Sequence, residues 1–256
     1  YIVLNSYLIT STKKSSGKSI ITIGLTAVLN SMKYKLSVFK KGPDYIDPLW
    51  ISKSAKTNCY NLDFNTMSLQ EIKSLYKQKT STSDINIVEG NKGLFDGVSL
   101  DGSDSNAALA KLLKLEIILV IDCIGITRGI APLINGYQQF DSKLKYKGII
   151  LNNIASDRHE SKIINAVNEY SDFKVFGSVY KNKKLEILEQ HLGLQPSFTK
   201  SNSNNTIKNI SSVIKSSVDM KHLLKGIKIK KQSPIIASTS TKRKYTDIKI
   251  GIPLDN

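Results

Sequence analysis

The sequence predicts an α/β fold, with a mostly parallel β-sheet flanked by helices. Three observations predict it. Short runs rich in Ile and Val alternate with segments of helical spacing. The runs are apolar almost throughout, as in strands covered on both faces, and do not alternate apolar with polar. The intervening segments are long enough to be crossover helices, which parallel strands require.

The elements follow in chain order. Ile2 to Ile9 is β-branched and apolar enough for a strand, and Ser19 to Met32 has helical spacing. Leu36 to Phe39 is a short apolar run. Ile85 to Val88, Ile117 to Ile121 and Gly148 to Leu151 are buried-strand runs. Asn106–Leu115, Gly129–Phe140 and Glu160–Tyr170 read as helices, and Lys174 to Val179 as a further strand. After Pro196 the texture changes. Residues 197–206 are Ser/Asn-rich loop, Thr206–Leu224 has room for one or two short helices, and 226–245 is Lys/Ser/Thr-rich without periodicity, a linker composition. The expected organisation is therefore one domain over 1–196, a helical extension over 197–225, a linker over 226–245 and the start of a further unit over 246–256. The chain opens on Tyr1 and closes on IKIGIPLDN, a strand entering a turn. The expectation is a piece of a longer protein.

Composition excludes several classes. No run approaches the roughly 18–20 apolar residues of a membrane-spanning helix. Two cysteines, Cys59 and Cys123, make neither a disulfide framework nor a cysteine-based zinc site, so a cytoplasmic setting is the default. The net charge of +16 invites a nucleic-acid reading. Its distribution argues against one. All the basic residues but Arg128, Arg158 and Arg243 are lysines, whereas nucleic-acid surfaces draw on arginine for bidentate contacts. Residues 197–245 alone hold eleven basic residues against one acidic residue, Asp219. The excess sits outside every motif that carries chemistry, and no nucleic-acid partner is expected.

Ligands of parallel sheets bind beyond the carboxyl ends of the strands, so motifs are sought there. The first strand runs into Thr12-Lys13-Lys14-Ser15-Ser16-Gly17-Lys18-Ser19 and then a helix. This is the setting of a P-loop, Gly-x-x-x-x-Gly-Lys-Ser/Thr, with Thr12 where the first glycine belongs. Backbone N–H groups would cradle phosphates, Lys18 would reach the β/γ-phosphates and the Ser19 hydroxyl would meet Mg2+. A residue other than glycine held left-handed in such a loop costs about 1–2 kcal/mol. After the second run comes Lys40-Lys41-Gly42-Pro43-Asp44-Tyr45-Ile46-Asp47-Pro48, where two carboxylates stand on a Gly/Pro-shaped loop. They suit a metal or substrate equally well as a capped turn. The third constellation, Glu89-Gly90-Asn91-Lys92-Gly93-Leu94-Phe95-Asp96-Gly97, ends a buried strand on a carboxylate, where a P-loop enzyme holds Mg2+. A fourth strand ends in Asn152-Asn153, amides able to bond an adenine edge or to cap the next segment.

Together these segments resemble the N-terminal domain of the cobyrinic acid a,c-diamide synthase family, glutamine-dependent amidases of corrin biosynthesis. The strings that carry the resemblance are FKKGPDYIDP (39–48), NLD (61–63), VEGNKGLFDG (88–97), ALAKLL (108–113), GIILNNIASDRH (148–159) and EQHLGL (189–194). The resemblance implies a P-loop NTPase fold of the dethiobiotin synthetase type, followed by a class I glutaminase domain. It implies a cytoplasmic carbon–nitrogen ligase that uses ATP and Mg2+ to convert the a- and c-acetate carboxylates of cobyrinic or hydrogenobyrinic acid into amides. The intermediates would be acyl phosphates and the ammonia would come from glutamine. Lys18 would act on the phosphates, with Thr12 to Ser19 and Asn152 around ATP. Ser19, Asp44 and Glu89 would surround Mg2+. Tyr45, Asp47 and Asp96 would lie toward the corrin carboxylates. Asp44, Asp47, Glu89, Asp96 and Lys18 form the expected catalytic set. His191 lies in a matched segment, as a further candidate for substrate contact or a helix terminus. A homodimer is compatible with the class.

The sequence departs from the family pattern at several places. Ser15 stands at an inner glycine of the loop, Lys13 and Lys14 replace small residues, and Asn91-Lys92 replaces Val-Met. Lys13 falls where partition-type ATPases carry a second lysine. Tyr180-Lys181 replaces Pro-Arg, and Gln190 replaces Arg. Cys59 and Cys123 are not placed to serve as a glutaminase nucleophile, and residues 248–256 resemble the opening strand of that domain. Two alternatives stay open at this level: a P-loop pseudoenzyme, and a partition-type ATPase with impaired turnover.

Overall fold

The computed structural model describes residues 5–182, 185 and 203–227. Seven parallel strands form one sheet in the order β3-β2-β4-β1-β5-β6-β7. The strands are β1 (Ser6–Ser11), β2 (Leu36–Lys41), β3 (Cys59–Leu62), β4 (Ile85–Glu89), β5 (Glu116–Asp122), β6 (Lys145–Ile154) and β7 (Val175–Tyr180). The helices are α1 (Lys18–Ser31), α2 (Asp47–Ala55), α3 (Leu69–Lys79), α4 (Asn106–Leu113), α5 (Ile130–Phe140), α6 (Asp157–Tyr170), α7 (Ser203–Ser217) and α8 (Met220–Leu223). The predicted parallel sheet with helices on both faces is what forms. The predicted bounds within 1–4, 186–202 and 228–256, and with them His191 and Gln190, lie outside the described residues.

Alternation along the central strands sorts the core into two layers. Leu8 joins Phe39, Val88, Ile117, Leu119 and Leu151 on the face covered by α3, α4, α5 and α6. Tyr7 and Ile9 join Val38, Ile87, Ile118 and Ile150 on the opposite face, under α1, α2 and α7. Both sides being buried explains why β4 and β5 read as near-continuous apolar runs, interrupted within β4 by Asn86.

Three elements have no counterpart in the sequence reading: α2, β3 and α3. Helix α2 begins inside the second motif, with Asp47 in its first turn, Pro48 just behind, and Trp50 fully buried. Strand β3 is a short edge strand, CYNL, only partly buried. Helix α3 starts at a capping box in which Ser68 and Glu71 satisfy each other's backbone N–H groups, and it buries only Ile72 and Tyr76.

Helices α7 and α8 follow the sheet within residues 203–223. Helix α7 crosses α1 where Gly24 leaves room: a Cβ there would sit 2.2 Å from Ile214 Cγ1. The segment is also stitched to the sheet edge, where Asp219 N donates to Phe176 O at 2.7 Å and Val218 bridges to Gly177.

The chain leaves β1 toward β2 and leaves β5 toward β6, on opposite sides. This opens a crevice at the carboxyl ends of β1 and β5, the topological switch point where such sheets bind ligands.

Candidate active site

Residues 11–17 wrap around the carboxyl end of β1 and deliver α1. Gly17 precedes the helix at φ 86°, and a Cβ there would meet Asn152 Nδ2 at 2.1 Å. Only glycine fits. Ser15 is also left-handed, at φ 56°, whereas Thr12 is not among the residues with positive φ. The two departures from the P-loop pattern thus differ physically. Thr12 needs no glycine freedom, and Ser15 carries a strain of about 1–2 kcal/mol.

The loop is tied down on every side. Ser11 Oγ donates to Lys13 O at 2.6 Å and accepts from Lys18 Nζ at 3.1 Å. Ser16 Oγ donates to Lys13 O at 2.8 Å, and Tyr137 Oη donates to Thr12 O at 2.6 Å. Asn152, placed by β6, donates from Nδ2 to Ser16 O at 3.0 Å, so in this state its amide braces the loop. Lys13 pairs with Asp122 at the end of β5, N to O 2.9 Å. Asp122 also accepts from Asn153 Nδ2 at 2.9 Å and from Ile124 N at 3.3 Å. Burial raises the Asp122 pKa, but Asn153 and Lys13 outweigh it and hold the carboxyl below its usual range. Lys14 and Ser15 are exposed.

Beside the loop lies a cluster of ions. Ser19 Oγ donates to Glu89 Oε1 at 3.0 Å and lies 3.3 Å from Asp47 Oδ2. Lys40 Nζ lies 2.5 Å from Asp47 Oδ2, 2.8 Å from Glu89 Oε1 and 3.6 Å from Asp44 Oδ2. Lys40 is 3% exposed and Glu89 0%. Burial alone would lower the lysine's pKa, but the three carboxylates drive it well above the usual lysine range. Burial raises Glu89, and its other oxygen, Oε2, has no hydrogen-bond partner. Asp47 goes the other way: Lys40 overcomes burial and holds it low.

The structure brings Ser19, Asp47 and Glu89 together. Asp44 stands one step back. Its Oδ1 accepts from Ile46 N at 3.0 Å and from Asp47 N at 3.1 Å, capping the approach to α2, while its Oδ2 faces Lys40. The NLD string braces this loop: Asn61 Nδ2 donates to Asp44 O at 2.7 Å, and Leu62 O accepts from Gly42 N at 2.9 Å. Tyr45 projects into solvent, 77% exposed. Asp96 is exposed and accepts from Gly93 N at 2.9 Å, closing a turn of the third motif.

Two groups of the candidate site escape the sequence reading. Lys40 is the first. Its signal is a charged residue inside a buried strand, which demands carboxylates nearby. Asn106 is the second. From the head of α4 its Nδ2 donates to Gly93 O at 2.7 Å and to Asn91 O, and its Oδ1 accepts from Asn91 N at 3.1 Å, fixing the third motif against β1.

The donor set fits a magnesium ion. It consists of hard oxygens, and Glu89 Oε2 is a buried acceptor with nothing to bind. Among the described residues no group of three or more His, Cys, Asp or Glu has metal-site geometry. Mg2+ bound with a nucleotide needs only one or two carboxylates, since phosphates and water complete its shell.

A strand–P-loop–helix unit at the switch point of a parallel sheet, with a strand-ending carboxylate beside the loop's serine, defines the P-loop nucleotide-binding class. The solved structures agree on the fold. MinD of Aquifex aeolicus superposes with a TM-score of 0.53 at 13% identity, covering 83% of this chain and 95% of that one. Chloroplast FtsY of Physcomitrella patens gives 0.50 at 11% identity, covering 70% and 59%. The family model described as the CobQ/CobB/MinD/ParA nucleotide binding domain, CbiA, matches residues 7–194, and the chain belongs to that family. Relatives named cobyrinate a,c-diamide synthase bear out the resemblance seen in the motifs. That of Magnetococcus marinus is 39% identical over 216 residues, 84% of this chain and 46% of the relative. That of Picrophilus torridus is 36% identical over 256 residues, 98% and 57%. That of Methanosarcina barkeri is 40% identical over 193 residues, 74% and 39%. The chain spans about half the length of the curated relatives it matches. Among the described residues no helix is long and apolar enough to cross a membrane.

Proposed function

We propose that the chain carries out the ATP-dependent half of a cobyrinate a,c-diamide synthase, activating the a- and c-acetate carboxylates of cobyrinic or hydrogenobyrinic acid for amidation in cobalamin biosynthesis. The observation that carries the reading is the convergence of Ser19, Asp47 and Glu89 beside the Lys18 loop. A carboxylate is a poor acyl donor because oxide is a poor leaving group. Transfer of the γ-phosphoryl of ATP to a carboxylate oxygen releases ADP and makes phosphate the leaving group. Ammonia then attacks the carbonyl carbon, phosphate departs, and the amide loses the extra proton to solvent. The ammonia would come from glutamine through a glutaminase domain or subunit.

The protein's contribution to such a transfer is positioning and charge neutralisation. The backbone N–H groups of residues 13–18 cradle the phosphates and Lys18 neutralises the charge that develops on them. Ser19, Asp47 and Glu89 would hold Mg2+, which would supply positive charge against the negative charge of the phosphates. Asp44 sets the start of α2 and so the place of Asp47. Tyr45 and Asp96, on the exposed rim, face the incoming corrin acid.

The test supplies the full-length protein with ATP, Mg2+, ammonium or glutamine, and cobyrinic or hydrogenobyrinic acid, and follows the exchange of carboxyl OH for NH2 by mass spectrometry. Monoamide and diamide products are expected. Lys18→Ala and Glu89→Gln should abolish them. ATP binding without product would move the reading to a partition-type ATPase, and no ATP binding at all would leave a pseudoenzyme.

A further inference from the structure

Lys40 occupies a position that the proposed chemistry needs for something else. Its ammonium touches Asp47 Oδ2 and Glu89 Oε1, the two carboxylate oxygens that also surround the Ser19 hydroxyl. A magnesium ion bound there would sit about 2.1 Å from its oxygens. An ammonium held at 2.5 and 2.8 Å from the same atoms would then lie against it with like charge. The two cannot share the site. Glu89 Oε2, buried and unpartnered, is an acceptor left over for an ion that Lys40 does not replace in full. Asp44 Oδ2, 3.6 Å from Lys40 Nζ and partly exposed, offers the lysine a retreat.

We propose that Lys40 is an internal cation that fills the divalent-ion position of the nucleotide-free protein, and that the ion enters by exchange, with the ammonium moving toward Asp44. The exchange rests on the reading of Ser19, Asp47 and Glu89 as the cation's holders, but not on the identity of the acid substrate. It gives the site a counter-charge, so the buried Glu89 and the partly buried Asp47 do not face each other uncompensated. Lys40 is here a positioning residue.

The test uses Mn2+ alone, followed by the loss of its free paramagnetic signal, with the full chain and no nucleotide. Removing the internal competitor should tighten binding. Lys40→Met and Lys40→Gln are each expected to bind Mn2+ about tenfold more tightly than wild type, since apparent affinity is reduced by the fraction of protein in the competent state. Lys40→Arg, which keeps a cation, should not. Adding Glu89→Gln to Lys40→Gln should cancel the gain. A measurement on the wild type needs no variant: acylation of amines read by peptide mass spectrometry should find Lys40 protected without metal and several-fold more reactive with saturating Mn2+ (a scale set by the same population argument). Unchanged Mn2+ affinity in both neutral variants, or unchanged Lys40 reactivity, overturns the exchange. If Glu89→Gln and Ser19→Ala leave Mn2+·ATP binding intact, the cation reading itself is wrong and the exchange falls with it. If they abolish that binding while the neutral variants bind no tighter, the site reading stands and only the exchange fails.

Discussion

Gly17 is where a single atom decides whether the loop can form. Its φ of 86° and the 2.1 Å approach of Asn152 Nδ2 to a would-be Cβ act in the same direction. Gly17→Ala should therefore lose about 1–2 kcal/mol from backbone strain alone, with more from displacing Asn152. Denaturant unfolding would show the loss, and calorimetry should find ATP binding abolished. A fully stable Gly17→Ala that binds ATP would contradict this loop geometry. Asp122 supplies a second test at the same scale. Burial works upward on its carboxyl, but Asn153 and Lys13 hold its folded pKa below the unfolded value. For a depressed carboxylate the stabilisation is present above the unfolded pKa, about 3.9, and is lost as pH falls through the folded value. Wild type should accordingly lose stability more steeply than Asp122→Asn on going below about pH 4. The two acid melting profiles, taken side by side, check it. Parallel profiles would mean that the Lys13–Asp122 pair contributes nothing. At this scale the sequence showed which carboxylates are present but not which of them meet. Asp44 and Asp47 are equivalent in the string GPDYIDP. Only the start of α2 at Asp47, with Asp44 Oδ1 committed to the backbone N–H groups of Ile46 and Asp47, turns Asp47 toward Ser19.

Among the elements, legibility followed burial. Strands β4 and β5 are covered on both faces and so stand out as apolar runs, and helices α1 and α6 were found within a few residues of their ends. Strand β3 lies at the edge with half-exposed Cys59 and Tyr60, which leaves no run to see. Helix α3 is polar over most of its surface, since it buries only Ile72 and Tyr76. Its capping box, Ser68 to Glu71, was the available signal. Helix α2 is hidden because its first turn coincides with a motif that reads as loop. The crossing of α1 and α7 was not legible at all, because Gly24 looks like a weak point in a helix until Ile214 is seen packed on it. That crossing yields a prediction. Gly24→Val places new atoms where a Cβ already comes within 2.2 Å of Ile214 Cγ1 and 3.2 Å of Ile210 Cγ2. Overpacking of this kind costs about 1–3 kcal/mol, so the urea midpoint should fall. Ile214→Ala in the same chain should recover part of it by opening space, a non-additivity that a double-mutant cycle would measure. Additive losses would place the two residues out of contact.

Across the whole molecule, the carboxyl edge of the sheet behaves as one bonded unit. The loop after β1 is tied to β5 through Lys13–Asp122 and to β6 through Asn152–Ser16. It is tied to the third motif through Leu94 N donating to Ser11 O at 2.8 Å. His159, from α6, clamps the loops after β5 and β6, accepting from Ala155 N at Nδ1 and bonding Ile126 O through Nε2 at 2.6 Å. A nucleotide gripped by the first loop therefore loads all these connections at once. Ligand binding to the native state alone stabilises by about 2.7 kcal/mol at a concentration of 100 times Kd. Here that stabilisation should spread beyond the loop. With ATP and Mg2+, amide exchange should slow together in residues 11–19, in the Gly90–Gly97 segment and at the end of β6. Asn152→Ala removes one tie without removing a phosphate ligand. It should leave protection of residues 11–19 by saturating ATP largely intact while weakening protection at the end of β6. Protection confined to residues 11–19 in the wild type would show that the edge is a set of independent loops.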